Sequence, residues 1–101
     1  MLDKPYYLTT GVQKLPFELV EVMLELIKGF NQSVVEKDYL QVFHLYVNGD
    51  TVHIAHKQEV PEYMRIERIQ FELPFRKTKD RYTIFVIDNG DYATMMLAEE
   101  Y

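Results

Sequence analysis

The stretch HIAHKQEVPEY, residues 53 to 63, sets His53, His56 and Glu59 at intervals of three. Imidazole and carboxylate groups are common zinc ligands, and ligands three apart share a face only on a helix. The flanking sequence does not permit a helix. TVHIAHK follows an Asn-Gly turn and ends before Pro61, so it reads as a strand, in which positions 53 and 56 point to opposite faces. A different pair takes their place. DYLQVFHLYV and DTVHIAH form a hairpin, and with Asn48-Gly49 as its two-residue loop His44 lies directly across from His53. Phe43, Leu45, Val52 and Ile54 then share the other face. A three-residue loop would mix the faces, whereas a four-residue loop keeps them and makes the histidines diagonal neighbours. Directly opposed Cβ atoms lie roughly 4.5–5.5 Å apart, close enough for two imidazoles to meet one ligand. His44 and His53, with Glu59 and Glu62 in the loop that follows, are therefore the candidate ligand-binding residues. A zinc site needs further ligands that the hairpin does not supply, so no metal or other cofactor is expected.

A second cluster is electrostatic. The chain carries a net charge of −5, yet residues 65 to 81 hold six basic and three acidic side chains. The local charge is thus +3 against −8 elsewhere. Arg65, Arg68, Arg76, Lys77, Lys79 and Arg81 are the candidate partner-binding residues, for nucleic acid or another anionic partner. The simpler explanation is a charged edge and turn that keep a strand from aggregating. Net acidity argues against general nucleic-acid binding.

Other chemistry is poorly represented. There is no cysteine, which excludes disulfides, thiolate catalysis and thiolate-ligated metals. The four glycines are too scattered for a phosphate loop or a dinucleotide fingerprint, and Ser33 is the only serine. Asp88, Asn89 and Asp91 lack the even spacing of a calcium loop. In QEVPEY, the side chains around Pro61 are expected to fix the turn by hydrogen bonding, or to face a ligand.

The elements that must position these groups follow from length and periodicity. At 101 residues with nearly half of them apolar, the chain is expected to form one globular domain, residues 1–101. YYLTTGV, residues 6 to 12, reads as a first strand, with Gly11 at a bulge or at the approach to the loop. Pro16 suits the start of a helix. From Phe17 to Phe30 the polar positions Glu18, Glu21, Glu25 and Lys28 form one narrow stripe, so the apolar face is wider than one sheet requires. Either the domain swallows this helix or part of it meets a second subunit. Ser33 and Glu36 have capping-box spacing. RIQFEL alternates as a half-buried strand, and Met64 and Ile66, on the opposite parity, suggest a bulge near Glu67-Arg68. Pro74 ends that strand and RKTKD is a solvated turn. RYTIFVID reads as a central strand and DNGD as a sharp turn. In YATMMLAEEY the Ala, Met, Leu and Glu residues favour a helix while the preceding turn favours a returning strand, and the strand is the expectation taken. The fold class is α+β in two layers: a mainly antiparallel sheet of five or six strands against one long helix.

Several strings together resemble a known family. YYLTTGV, DYLQVF, HKQEVPEY and FVIDNGDYATMMLAEEY are similar to the segments that mark domain-of-unknown-function family 960 of Gram-positive bacteria. The resemblance spans nearly the whole chain and implies a small cytoplasmic protein. It brings no assigned activity, cofactor or catalytic residue.

The start of the chain has no apolar signal region, and the most apolar segment carries three glutamates, so neither secretion nor a membrane span is expected. The leading expectation is a non-enzymatic interaction module with an unknown protein partner, self-associating through the wide helix face or a sheet edge. Two alternatives stand beside it. One is a small enzyme that binds a metal or ligand on the His44/His53 face, and the other a binder of anionic partners through residues 65–81.

Overall fold

The computed structural model describes residues 4–31, 36–71 and 80–101. Six strands form one sheet: β1 (Tyr6–Leu8), β2 (Leu40–Asn48), β3 (Thr51–Gln58), β4 (Tyr63–Gln70), β5 (Arg81–Asp88) and β6 (Ala93–Leu97). Their order across the sheet is β1-β6-β5-β2-β3-β4. Every pairing is antiparallel except that of β1 with β6, so the sheet is mixed. β5 is central, as its composition predicts, and residues 93–97 return as a strand before a 3-10 turn at Ala98–Glu100.

The long helix expected against this sheet is in fact α2, Phe17–Asn31, only fifteen residues. The apolar pattern that sustains it is about four turns long, starting after Pro16, whose carbonyl accepts from the amides of Leu19 and Val20. Leu19, Val20, Met23, Leu26, Ile27 and Phe30 are buried, and Val22 and Leu24 are partly buried at the margin. The wide apolar face is therefore mostly consumed within the chain's own core. Phe17, at the start, remains exposed.

The first expected strand is shorter than its β-rich composition suggests. Only Tyr6–Leu8 is extended, and Thr10–Gln13 turns into a short helix, α1. Gly11 is not a bulge but a point of close approach. A Cβ there would sit 2.6 Å from Leu97 Cδ1 and 2.7 Å from Glu100 Oε1. The Glu100 carboxylate accepts from Thr9 Oγ1 at 2.6 Å, the Leu97 amide at 2.9 Å and the Gly11 amide at 3.0 Å. These bonds hold its pKa below the usual carboxylate range and clamp the end of the chain onto its beginning. At the other end of this edge Lys4 Nζ lies 2.6 Å from Asp88 Oδ1, which also accepts from the Gly90 amide.

The hairpin keeps the predicted faces but not the predicted register. Asn48 pairs with Thr51, so the two-residue loop is Gly49-Asp50, with Gly49 at φ +66°. Positive φ at the first loop position suits glycine, and placing it there slides the strands relative to the Asn48-Gly49 loop. His44 now faces Ala55, and His53 faces Tyr46. The directly opposed histidine pair is thereby corrected to a diagonal one.

The bulge expected near Glu67-Arg68 is also absent. β4 pairs with β3 without interruption from Gln58–Tyr63 to Thr51–Gln70. The parity conflict is resolved differently: Ile69 and Phe71 pack on the core, and Met64 and Ile66 are left on the opposite face, 60% and 61% exposed. The capping-box residue Ser33, Pro74 and most of the turn RKTKD lie outside the described residues.

Candidate functional site

Alternation along the strands gives the sheet two unlike faces. One packs against α2 and holds Phe43, Leu45, Val52, Ile54, Ile84 and Met95, all fully buried. The same face also takes three charged strand positions. The only carboxylates in the strands, Glu67 and Asp88, pair in register with the buried Ile54 and Ala93 and so point to the α2 side. Arg65 is on that side as well, and its guanidinium lies 2.8 Å from Glu67 Oε1. With Val22, Glu25, Leu26 and Ile69 this pair lines a cleft of about 250 Å³ between α2 and β4.

The opposite face is left uncovered among the described residues, apart from Tyr101, whose ring stands edge-on to Phe85 at 5.7 Å. The strand register arranges it in three rows running across the sheet. The first is Met64, Lys57, Val42, Phe85 and Met96. In the middle are Ile66, Ala55, His44 and Thr83. Arg68, His53, Tyr46 and Arg81 form the third. Arg81 places its guanidinium 5.3 Å from the centre of the Tyr46 ring, a cation–π contact. No strand residue on this face bears a carboxylate, while three of the four strand cations, Lys57, Arg68 and Arg81, project from it.

The residues singled out by sequence fall as follows. His44 and His53 do share this face, diagonally, and His44 Nδ1 is 3.2 Å from Thr83 Oγ1. Partial burial, and then the nearby Lys57 charge, keep the His44 pKa below the ordinary histidine value. His44, Lys57 and Glu59 line a shallow hollow of about 170 Å³ with Val42 and Gln58. Glu62 is exposed in the turn before β4. Among the described residues no group of three or more histidine or acidic side chains is placed to hold a metal ion. Of the six basic residues proposed as one cluster, Arg68 and Arg81 share the uncovered face and Arg65 is on the other. Arg76, Lys77 and Lys79 lie outside the described residues.

His56, the other half of the original histidine pair, is fully buried. Phe43 stacks on its ring at 4.5 Å, and Phe30 and Tyr63 meet it edge-on at 5.6 and 5.5 Å. Its Nε2 lies 2.7 Å from Gln41 Oε1. The direction of that bond is set two residues away. Gln58 donates its amide to the carbonyls of Glu36 and Pro61, which leaves its oxygen to accept from Gln41 and from the Asp38 amide. Gln41 therefore turns its own oxygen to His56, and Nε2 carries the proton. Nδ1 carries no proton and has no hydrogen-bond partner among the described residues. Burial, reinforced by the Arg65 charge, pushes the His56 pKa down to about 4. This network pins the turn out of β3 to the start of β2, the role expected for the QEVPEY side chains, here carried by Gln58.

Sequence reasoning missed the exposed pair Met64 and Ile66 and the sorting of charge between faces. The parity mismatch in YMRIERIQ was the available signal for both. It looked like a bulge because apolar residues were assumed to seek the core.

No helix among the described residues is long and apolar enough to cross a membrane. No curated protein matches the chain. A crystal structure of a protein of unknown function from Enterococcus faecalis is similar, with a TM-score of 0.74 and 25% sequence identity, covering 98% of this chain and 92% of that one. The family model described as "Staphylococcal protein of unknown function (DUF960)" matches residues 6–100, and the chain belongs to that family.

Proposed function

We propose that this protein is a non-enzymatic interaction module that engages a protein partner with the uncovered face of its sheet. The observation that carries this reading is the pair Met64 and Ile66, held in solvent on a regular strand beside Lys57 and Arg68, with Tyr46 two strands away on the same face. Large apolar side chains grouped with cations and a tyrosine are what a protein-binding surface offers. Pull-down from an extract of the host bacterium tests it. The wild-type protein is expected to retain a partner that Ile66→Glu loses, while Phe17→Glu, on the helix side, retains it. Equal capture by all three would overturn the reading.

Self-association is a narrower form of the same proposal. β4 is an eight-residue edge strand whose outer backbone groups have no neighbour among the described residues. Such an edge is a ready template for a second strand, and an antiparallel second β4 would form a two-fold pair. Light scattering that finds only monomer at high micromolar concentration would remove this part and leave the rest standing.

A further inference from the structure

We infer that the uncovered face is built to receive an acidic amphipathic helix of a partner protein, an inference that rests on the reading above and specifies the partner's chemistry. The first argument is charge. In a chain of net charge −5, the strands carry two carboxylates and both point to the α2 side, whereas Lys57, Arg68 and Arg81 point away from it. Solubility alone calls for mixed signs on each surface, not for their separation by face. α2 adds Glu18, Glu21 and Glu25, so that side carries five carboxylates against Lys4, Lys28 and Arg65. The other face carries Lys57, Arg68 and Arg81 and no strand carboxylate, so the two sides differ in sign of charge. An anionic partner is steered to the face whose described strand residues bear no carboxylate, and away from the other.

Shape supplies the second argument. The first row is apolar except for Lys57, and the third holds Arg68, His53, Tyr46 and Arg81. Val42 and Tyr46, in the first and third rows, are four residues apart along β2, which separates the rows by about 13 Å. Between them lie the small side chains of Ala55 and Thr83, with His44 between and Ile66 at the edge. A row spacing of that size matches the roughly 10–12 Å diameter of a helix laid along the middle row. A helix seated there sets an apolar stripe on Val42, Phe85 and Met64 and an acidic stripe against Arg68 and Arg81. Glu59, at the rim of the hollow beside His44, bounds the site at that end.

Single-stranded nucleic acid fits less well. It needs open aromatic faces for base stacking. Here one face of Tyr46 is taken by Arg81 and the Phe85 ring is met by Tyr101. The two most exposed apolar side chains of the face, Met64 and Ile66, are aliphatic, and Tyr46 is less exposed.

The experiment is a two-dimensional amide NMR titration of the full chain with three probes. These are a helical peptide with one Glu stripe and one Leu stripe, the same peptide with Gln for Glu, and an oligothymidylate. The Glu/Leu peptide is expected to shift amides of His44, Ala55, Ile66 and Arg68, with affinity that falls as salt rises. The Gln version is expected to bind at least about tenfold more weakly. Lys57→Glu combined with Arg68→Glu, both at exposed positions, should keep the dispersed spectrum and weaken the Glu/Leu peptide by at least about tenfold as well. Equal binding of the two peptides, no binding of either, or shifts confined to α2 would overturn the inference. Tighter binding of oligothymidylate at the same amides would give the face to nucleic acid. Shifts that depend on the protein's own concentration would give it to a second copy. A partner lost from Ile66→Glu in the pull-down, together with no response to the Glu/Leu peptide, would leave the interaction reading standing and remove the acidic helix.

Discussion

At the scale of single residues, His56 shows how a polar group is kept in an apolar core. Its ring is enclosed by Phe30, Phe43 and Tyr63, and only Nε2 is satisfied, by a glutamine whose orientation is fixed by a second glutamine. The neutral form is the one the core accepts. Because the folded-state pKa is depressed to about 4 from an ordinary value of 6.5, the stability contribution is full above pH 6.5 and is lost as pH falls toward 4. The loss across that window is roughly 3 kcal/mol. Urea unfolding between pH 7 and 4.5 should show this decline. The His56 ring should meanwhile stay neutral by NMR wherever the fold persists, whereas titration near 6.5 in the folded protein would contradict the buried geometry. Asp88 and Glu100, whose pKa values are held down by hydrogen bonds, stabilise above the ordinary carboxylate range and lose that contribution only at lower pH, so the two effects separate. The sequence identified His56 as a residue turned away from His53, because strand parity is local information. Its aromatic box and its glutamine partners join separate parts of the chain, and no spacing rule reports them.

At the scale of elements, the joining of the chain's two ends is the least local feature of the fold. β1 pairs in parallel with β6 and the Glu100 carboxylate bonds to the α1 region, so residues some ninety apart in sequence depend on one another. Gly11→Ala should push Leu97 and Glu100 off these contacts. A destabilisation of about 1–2 kcal/mol is expected, a fall in Tm of several degrees, with faster hydrogen exchange at the Gly11 and Leu97 amides. An unchanged Tm would mean the clamp is loose. β4 makes the opposite prediction. Ile66 contributes little to the core, so Ile66→Thr should leave stability within about 0.5 kcal/mol by urea unfolding while weakening partner capture. A large destabilisation would mean that Ile66 is covered from within the chain. The helix, the hairpin and the alternating strands were legible in the sequence because period and turn chemistry are written locally. The hairpin register was misplaced by the choice of loop residues, since Asn-Gly marks a turn without saying which residue opens it. The parallel β1–β6 pairing has no local signature at all.

At the scale of the whole molecule, the arrangement is a polarised slab. One layer carries α2 with its acidic stripe, and the other side of the sheet presents cations, tyrosine and exposed aliphatic side chains without a strand carboxylate. A sequence-wide charge of −5 hides this, because the opposing charges cancel in the total and separate only after strand parity and register are imposed. Of the basic segment read along the chain, the described residues divide between the two sides of the sheet. Arg65 went to one side and Arg68 and Arg81 to the other, where Lys57 joined them from a different strand.

The central claim is that this face, and not the helix, is what the protein uses. Carbene footprinting reads it without knowing the partner, by comparing labelling of the protein in dilute buffer with labelling in extract of the host bacterium. Protection of Met64 and Ile66 in the extract, with Phe17 labelled equally in both, is the predicted result. Protection at Phe17 and Leu24 with Met64 and Ile66 unchanged would contradict it.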